Sequence, residues 1–272
     1  MDEHTNSTPA RPLATGFDFT DSKILVVGGT SGVGLATAVG FARSGARQLV
    51  LVGRNEQRGK QAVETVAEAN PSCEVQFLSA DVNEPSRADE AVAEAARRMG
   101  GLDVLVNSTV AVYQPTLLHD TEIDAIPTML TQQALGPILT SRAAVRVMRE
   151  QRRGAIINIA SDAAKVPTPG ECIIGAAMAA IVTFSRTLAV EAKRYGVRVN
   201  TITPSLIANT GSYDRAMNLE FSRKIFEKIT SQAHLGLTEP EDLANTIMFL
   251  ASSLAANITG QVVSVNGGIS VA

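Results

Sequence analysis

Short aliphatic and β-branched runs recur along this chain, and between them lie longer segments whose apolar residues repeat at helical spacing. The runs are KILVV (23–27), QLVLV (48–52), EVQFL (74–78), DVLV (103–106), AIINI (155–159), VRVNTI (197–202) and QVVSV (261–265). Helical periodicity covers 33–44, 55–69, 86–99, 121–150, 172–194 and 240–251. Strand and helix therefore alternate, the pattern of parallel strands joined by crossover helices. The runs are apolar throughout, as expected when helices cover both faces of a sheet. The pattern predicts an α/β fold: one Rossmann-type, doubly wound domain with a seven-stranded parallel sheet. Residues 205–237 are the least regular stretch. They read either as a helical flap on the substrate side of a ligand crevice or as a surface insertion.

Composition and charge narrow the partners. The 272 residues are 45% hydrophobic and 19% charged, the size and balance of one large domain. Residues 1–16 are polar and Pro-containing, lack the apolar stretch of a signal peptide, and are expected to form a flexible tail before a domain at 17–272. The net charge of −3 gives no basic footprint for nucleic acid. No apolar run is read as approaching the roughly 18 residues that cross a bilayer. Cys73 and Cys172 have neither metal-ligand spacing nor a disulfide framework, which fits a reducing cytosol. The expectation is a cytoplasmic protein with a small-molecule substrate and without metal, nucleic acid or membrane.

The first strand runs into VVGGTSGVGLATA, with glycines at 28, 32 and 34. A strand that turns sharply into a helix points the helix's N-terminal amides at the crevice, where amides and macrodipole together hold phosphates. Gly28 permits the turn, Gly32 admits a pyrophosphate to the backbone, and Gly34 lets helix and sheet pack closely. Strand-then-helix is the context this motif demands. Thr30 and Ser31 add hydroxyl contacts or cap the helix. Twenty residues past Gly34, the second strand ends in VGRNEQ, where an NAD-selective site places a carboxylate. Here Gly53 leaves space and Arg54 offers a guanidinium suited to a 2′-phosphate, so NADP is favoured over NAD. The alternative is that Arg54 is a solvated surface charge. In LSADV, Asp81 bonds an adenine amino group or caps the following loop.

Together these motifs resemble the short-chain dehydrogenase/reductase family over essentially all of residues 17–272. VGGTSGVG is similar to its T-G-x-x-x-G-x-G loop, Asp81-Val82 to its Asp-Val pair, and NSTV (107–110) to its N-N-A-G. EPEDLANTIMFLAS and GQVVSVNGG are similar to its closing Pro-Glu-Asp/Glu helix and G-x-x-x-x-V-D-G-G. The resemblance implies a sheet ordered 3-2-1-4-5-6-7, a nicotinamide cofactor, and a homotetramer or homodimer built on the helices near 121–150 and 172–194. It adds Val33, Asn55, Val82, Asn107 and Ile207 to the cofactor contacts.

Departures from the family cluster at chemistry. The helix asparagine aligns with Gln133, three residues before Gly136, and the serine after strand five survives as Ser161. Where the family has its catalytic tyrosine stands Ile174, and its lysine is Met178. A positioned general acid is worth about 10²- to 10⁴-fold. Ordinary ketone reduction by the family mechanism is therefore not expected. Strands four and five are neighbours in the implied order, which brings Tyr113 near Ser161. Its phenol is either a substitute donor or an aromatic wall. Ser161, Tyr113 and Gln133 are the candidate catalytic residues, with Asp162, Lys165, His119 and Glu171 as further polar groups on the rim. The first functional reading is an oxidoreductase that binds NADP(H) and acts on an activated carbonyl or enone. The alternatives are a non-redox enzyme (isomerase, cyclase, lyase or hydrolase) in the same pocket, and a non-catalytic subunit of a hetero-oligomer.

Overall fold

The structure, a computed structural model, describes residues 13–14, 16–218 and 220–272. Seven strands form one sheet in the order β3-β2-β1-β4-β5-β6-β7, every neighbouring pair parallel. They are β1 Lys23–Val27, β2 Gln48–Gly53, β3 Glu74–Ser79, β4 Val104–Asn107, β5 Gly154–Ile159, β6 Val197–Pro204 and β7 Val262–Val265. Between them run α1 Gly32–Arg43, α2 Glu56–Ala69, α3 Pro85–Met99, α4 Ile126–Gln151, α5 Cys172–Ala192 and α8 Pro240–Ala251. The strand order reverses between β1 and β4, and open α/β sheets form their crevice at such a reversal, beyond the carboxyl ends of the strands.

Side chains of a strand alternate between faces, so each run of β1 feeds two cores. Ile24 and Val26 pack with Phe41 of α1 and Leu243, Ile247 and Met248 of α8. Leu25 and Val27 pack with Val92 of α3, Met148 of α4 and Leu188 of α5. This two-sided burial is why the strands read as unbroken apolar runs. Local signals set the helix ends. The Asn55 side chain accepts the Arg58 N–H at the start of α2, and Glu239 and Asp242 form a reciprocal capping box on α8.

Several details differ from the sequence expectation. The helix expected at 121–150 begins at Ile126, after two short 3₁₀ turns at Leu118–Asp120 and Ile123–Ala125. Pro127 sits in its first turn, where a missing N–H costs nothing. Within 205–237 lie two helices, α6 Gly211–Asn218 and α7 Glu220–Thr230, and Leu206, Ala216 and Phe226 share a small apolar cluster there. Of the tail expected at 1–16, residues 1–12 and 15 lie outside the described residues. Leu13 packs on the first core, and the Ala14 N–H donates to Asn245 Oδ1 at 2.7 Å. The span Cys172–Tyr195 is, contrary to the sequence reading, long and apolar enough by length and composition to cross a membrane. Here Ile181, Leu188 and Ala189 of this helix are buried within the domain.

Candidate active site

The carboxyl ends of the strands open on a cavity of about 1090 Å³. The glycine loop forms one end. Gly28 adopts φ +80, and a Cβ there would lie 2.5 Å from the Ser108 carbonyl oxygen. A Cβ on Gly34 would lie 2.2 Å from the Gly28 carbonyl oxygen, so the close pass of helix over strand admits no side chain. Gly32 differs from both: the nearest protein atom to its Cβ position is Thr210 Cγ2 at 3.8 Å. Gly34 acts through packing and does not line the cavity, whereas Gly28, Thr30, Ser31, Gly32 and Val33 do. Ser31 occupies the N-cap position of α1, yet its side chain makes no capping hydrogen bond.

At the end of β2, Arg54 lines the same end of the cavity, with Asp81 and Val82 beside it. Arg54 is mostly exposed, and its Nη1 lies 3.7 Å from Asp81 Oδ2. Asp81 also accepts the Asn83 N–H at 3.0 Å, so it closes its own turn as well as facing the cavity. Arg58, one turn into α2, contributes a second guanidinium to this end. The sequence reading missed it, although it stands four residues after Arg54. Ile207 lines the far wall.

Besides Gly34, two residues expected to contact a cofactor do not line the cavity. Asn55 spends its side chain capping α2. Asn107 ends β4 and is 1% exposed. Its Nδ2 donates to Asn158 Oδ1 at 2.8 Å and Ser141 Oγ at 3.2 Å, and its Oδ1 accepts from Thr140 at 2.7 Å. Asn158 in turn donates to Ser185. Asn107 thus belongs to a buried polar network joining β4 and β5 to α4 and α5.

The other end of the cavity is lined by Ser161, Tyr113, Gln133, Glu171, Ile174 and Met178. Ser161 Oγ accepts the Ala163 N–H at 3.2 Å, and its own proton has no acceptor among the described residues. Gln133 donates to the Ala111 carbonyl at 3.3 Å, while its buried Oε1 has no partner. A buried acceptor left open is costly, and a ligand hydroxyl or water would satisfy it. Ile174 and Met178 are 7% and 6% exposed and pack with Ala160, Ile181 and Val182, with Tyr113 against them. The Tyr113 hydroxyl donates to the Gly170 carbonyl, which also accepts the Thr116 N–H at 3.0 Å. Burial, then the charge of Glu171, pushes the phenol above its ordinary pKa. The phenol is thus tied to the Gly170 carbonyl and forms part of the wall beside Ile174 and Met178.

Of the other rim candidates, His119 is exposed beside Asp120 and does not line the cavity. Asp162 is buried. Its Oδ2 accepts from Asn266 Nδ2 and Ser270 Oγ, and its Oδ1 lies 3.7 Å from Lys165 Nζ. This explains Asn266 in the VNGG block: an aspartate there would set a second carboxylate against Asp162. Among the described residues no cluster is arranged to hold a metal ion.

The residues present fit a dinucleotide. The one glycine of the loop whose Cβ would point into open cavity is Gly32, and two guanidiniums flank the end of β2. A family model described as enoyl-(acyl carrier protein) reductase matches residues 27–270. The chain is 31% identical over 252 residues to an uncharacterized oxidoreductase of Thermotoga maritima, covering 92% of this chain and 98% of that one. It is 30% identical over 250 residues to a 3-oxoacyl-(acyl-carrier-protein) reductase of Chlamydia pneumoniae, covering 91% and 96%. Among solved structures, levodione reductase superposes with a TM-score of 0.86 at 29% identity, covering 92% of this chain and 98% of that one. With its strand order, its glycine loop and these relatives, the chain belongs to the short-chain dehydrogenase/reductase family.

Proposed function

We infer that this protein is an NADP(H)-dependent oxidoreductase that acts on an activated carbonyl or enone without the tyrosine and lysine of its family. The observation that carries the reading is the pairing of the open face at Gly32 with Arg54 and Arg58 where an NAD-selective relative would present a carboxylate. Gly28 to Val33 hold the pyrophosphate, Arg54 and Arg58 the 2′-phosphate, and Asp81, Val82 and Ile207 the remaining wall. When bound, the nicotinamide supplies hydride. Ser161 donates its free O–H to the substrate oxygen, Gln133 Oε1 accepts from a bound hydroxyl or water, and Ile174 and Met178 form a dry wall. The carbonyl class draws support from the 3-oxoacyl and levodione reductases. Cys73 and Cys172 are free thiols, which suits a cytoplasmic enzyme, and α4 and α5 serve as the faces of a homodimer or homotetramer.

The apolar packing of Ile174 and Met178 also favours a second reading, a non-redox enzyme using the same pocket. Calorimetry decides the first step. NADPH should bind more tightly than NADH, and Arg54→Ala should weaken NADPH by roughly 10- to 100-fold, the worth of a charge-assisted hydrogen bond, with little effect on NADH. Absence of heat with either coenzyme at millimolar concentration refutes the reading. Nucleotide binding with substrate conversion that leaves the coenzyme unoxidised transfers the pocket to the non-redox class.

A further inference from the structure

We propose that the Glu171 carboxyl is the proton donor of this cavity, taking the part vacated at position 174. The inference rests on the oxidoreductase reading above and names the group that completes it. Glu171 immediately precedes α5 at its N-cap position, and Ile174 lies three residues further on in the first turn. Both line the cavity, as does Tyr113, which packs against Ile174 and feels the charge of Glu171. Among these three, Glu171 alone is a carboxylic acid, and Tyr113 has its hydroxyl engaged by Gly170.

The surroundings of Glu171 favour its protonated form. Its side chain occupies the N-cap position without accepting any helix N–H, so it is not consumed as a cap. Burial raises its pKa, opposed by a hydrogen bond from Thr168. Beside it are the Tyr113 phenol, which feels its charge, and Thr168, neither of them a cation. Arg215, Lys224 and Lys228 line the same cavity from α6 and α7, yet none of them pulls the carboxyl back down. The macrodipole of α5 pulls the other way.

The step balances. Bound reduced nicotinamide would supply hydride to the electrophilic carbon and be left oxidised, and the substrate's π pair would pass to its oxygen. That oxygen takes the proton as the Glu171 O–H bond breaks, leaving a carboxylate that is reprotonated from water. Ser161 supplies the second hydrogen bond to the same oxygen. Because the acid form does the work, turnover is present below the Glu171 pKa and lost as pH rises through it.

The test uses NADPH with two probe substrates, a vicinal diketone and an α,β-unsaturated ketone, on wild type, Glu171→Gln and Glu171→Asp. Glu171→Gln should lower kcat by about 10²- to 10⁴-fold and abolish the alkaline limb of the pH profile. Glu171→Asp should restore the limb at a reduced rate. Infrared titration of the protein without nucleotide should show a protonated carboxyl band persisting above the usual carboxylate range, absent in Glu171→Gln. Melting temperature and NADPH affinity report that the variants are folded. Wild-type kcat and pH profile in Glu171→Gln, or no such band, overturns the assignment while leaving the oxidoreductase reading in place. Wild type that fails to bind NADPH, or binds it and reduces neither probe, overturns that reading and this proposal with it.

Discussion

Replacing Asn107 by leucine separates a cofactor ligand from a structural one. Leucine keeps the branched shape but is larger, so the perturbation removes polarity and adds overpacking, which can only increase the cost of the lost hydrogen bonds. The side chain makes three hydrogen bonds of 3.2 Å or shorter, to Asn158, Ser141 and Thr140. Thr140 keeps its bond to the Gly136 carbonyl at 2.8 Å. Asn158 Oδ1 keeps only a long contact from Ser141 at 3.4 Å. One buried acceptor is therefore nearly orphaned, at about 1–3 kcal/mol, and two further bonds are lost at about 1 kcal/mol each. The sum, about 3–5 kcal/mol, lowers Tm by on the order of 10 °C in a domain of this length. Scanning fluorimetry reads that shift, and NADPH titration should change by less than roughly threefold. An unchanged Tm with collapsed nucleotide affinity would refute the network assignment.

Two further substitutions probe the two ends of the cavity. Gly32→Asp sets a carboxylate into the open side of the loop; at about 4 Å from a phosphate and an effective dielectric near 20 the repulsion reaches about 4 kcal/mol before screening. Calorimetry should show NADPH affinity reduced on the order of 100-fold, and retained affinity would mean that the loop is only structural. Tyr113→Phe removes the bond to the Gly170 carbonyl, costs about 1 kcal/mol of stability and should leave kcat on the diketone within a factor of a few. A collapse of kcat at unchanged Tm would restore the phenol to the chemistry.

Architecture was legible in the sequence because it follows from local periodicity. Strands buried on both faces must be apolar throughout, and their crossover helices must carry a stripe, so seven strands and the principal helices could be bounded within a few residues. The start of α4 was missed because 121–125 share its composition, and only Pro127 marks where the helix can begin. The glycine loop was legible for a related reason: Gly28 and Gly34 answer to backbone contacts that no other residue allows, and the spacing of those contacts is written in the chain.

What tertiary structure alone decided is the occupation of polar side chains. A sequence states that Asn107, Tyr113, Asp162 and Glu171 can donate, accept or titrate, and leaves open what each meets. Folding spends Asn107 on a buried network, Tyr113 on the Gly170 carbonyl and Asp162 on Asn266 and Ser270, and it leaves the carboxyl of Glu171 in the cavity wall with no ion pair among the described residues. Hydrogen bonds between residues 51 or 104 positions apart depend on how strands and loops are brought together, and no local pattern encodes that.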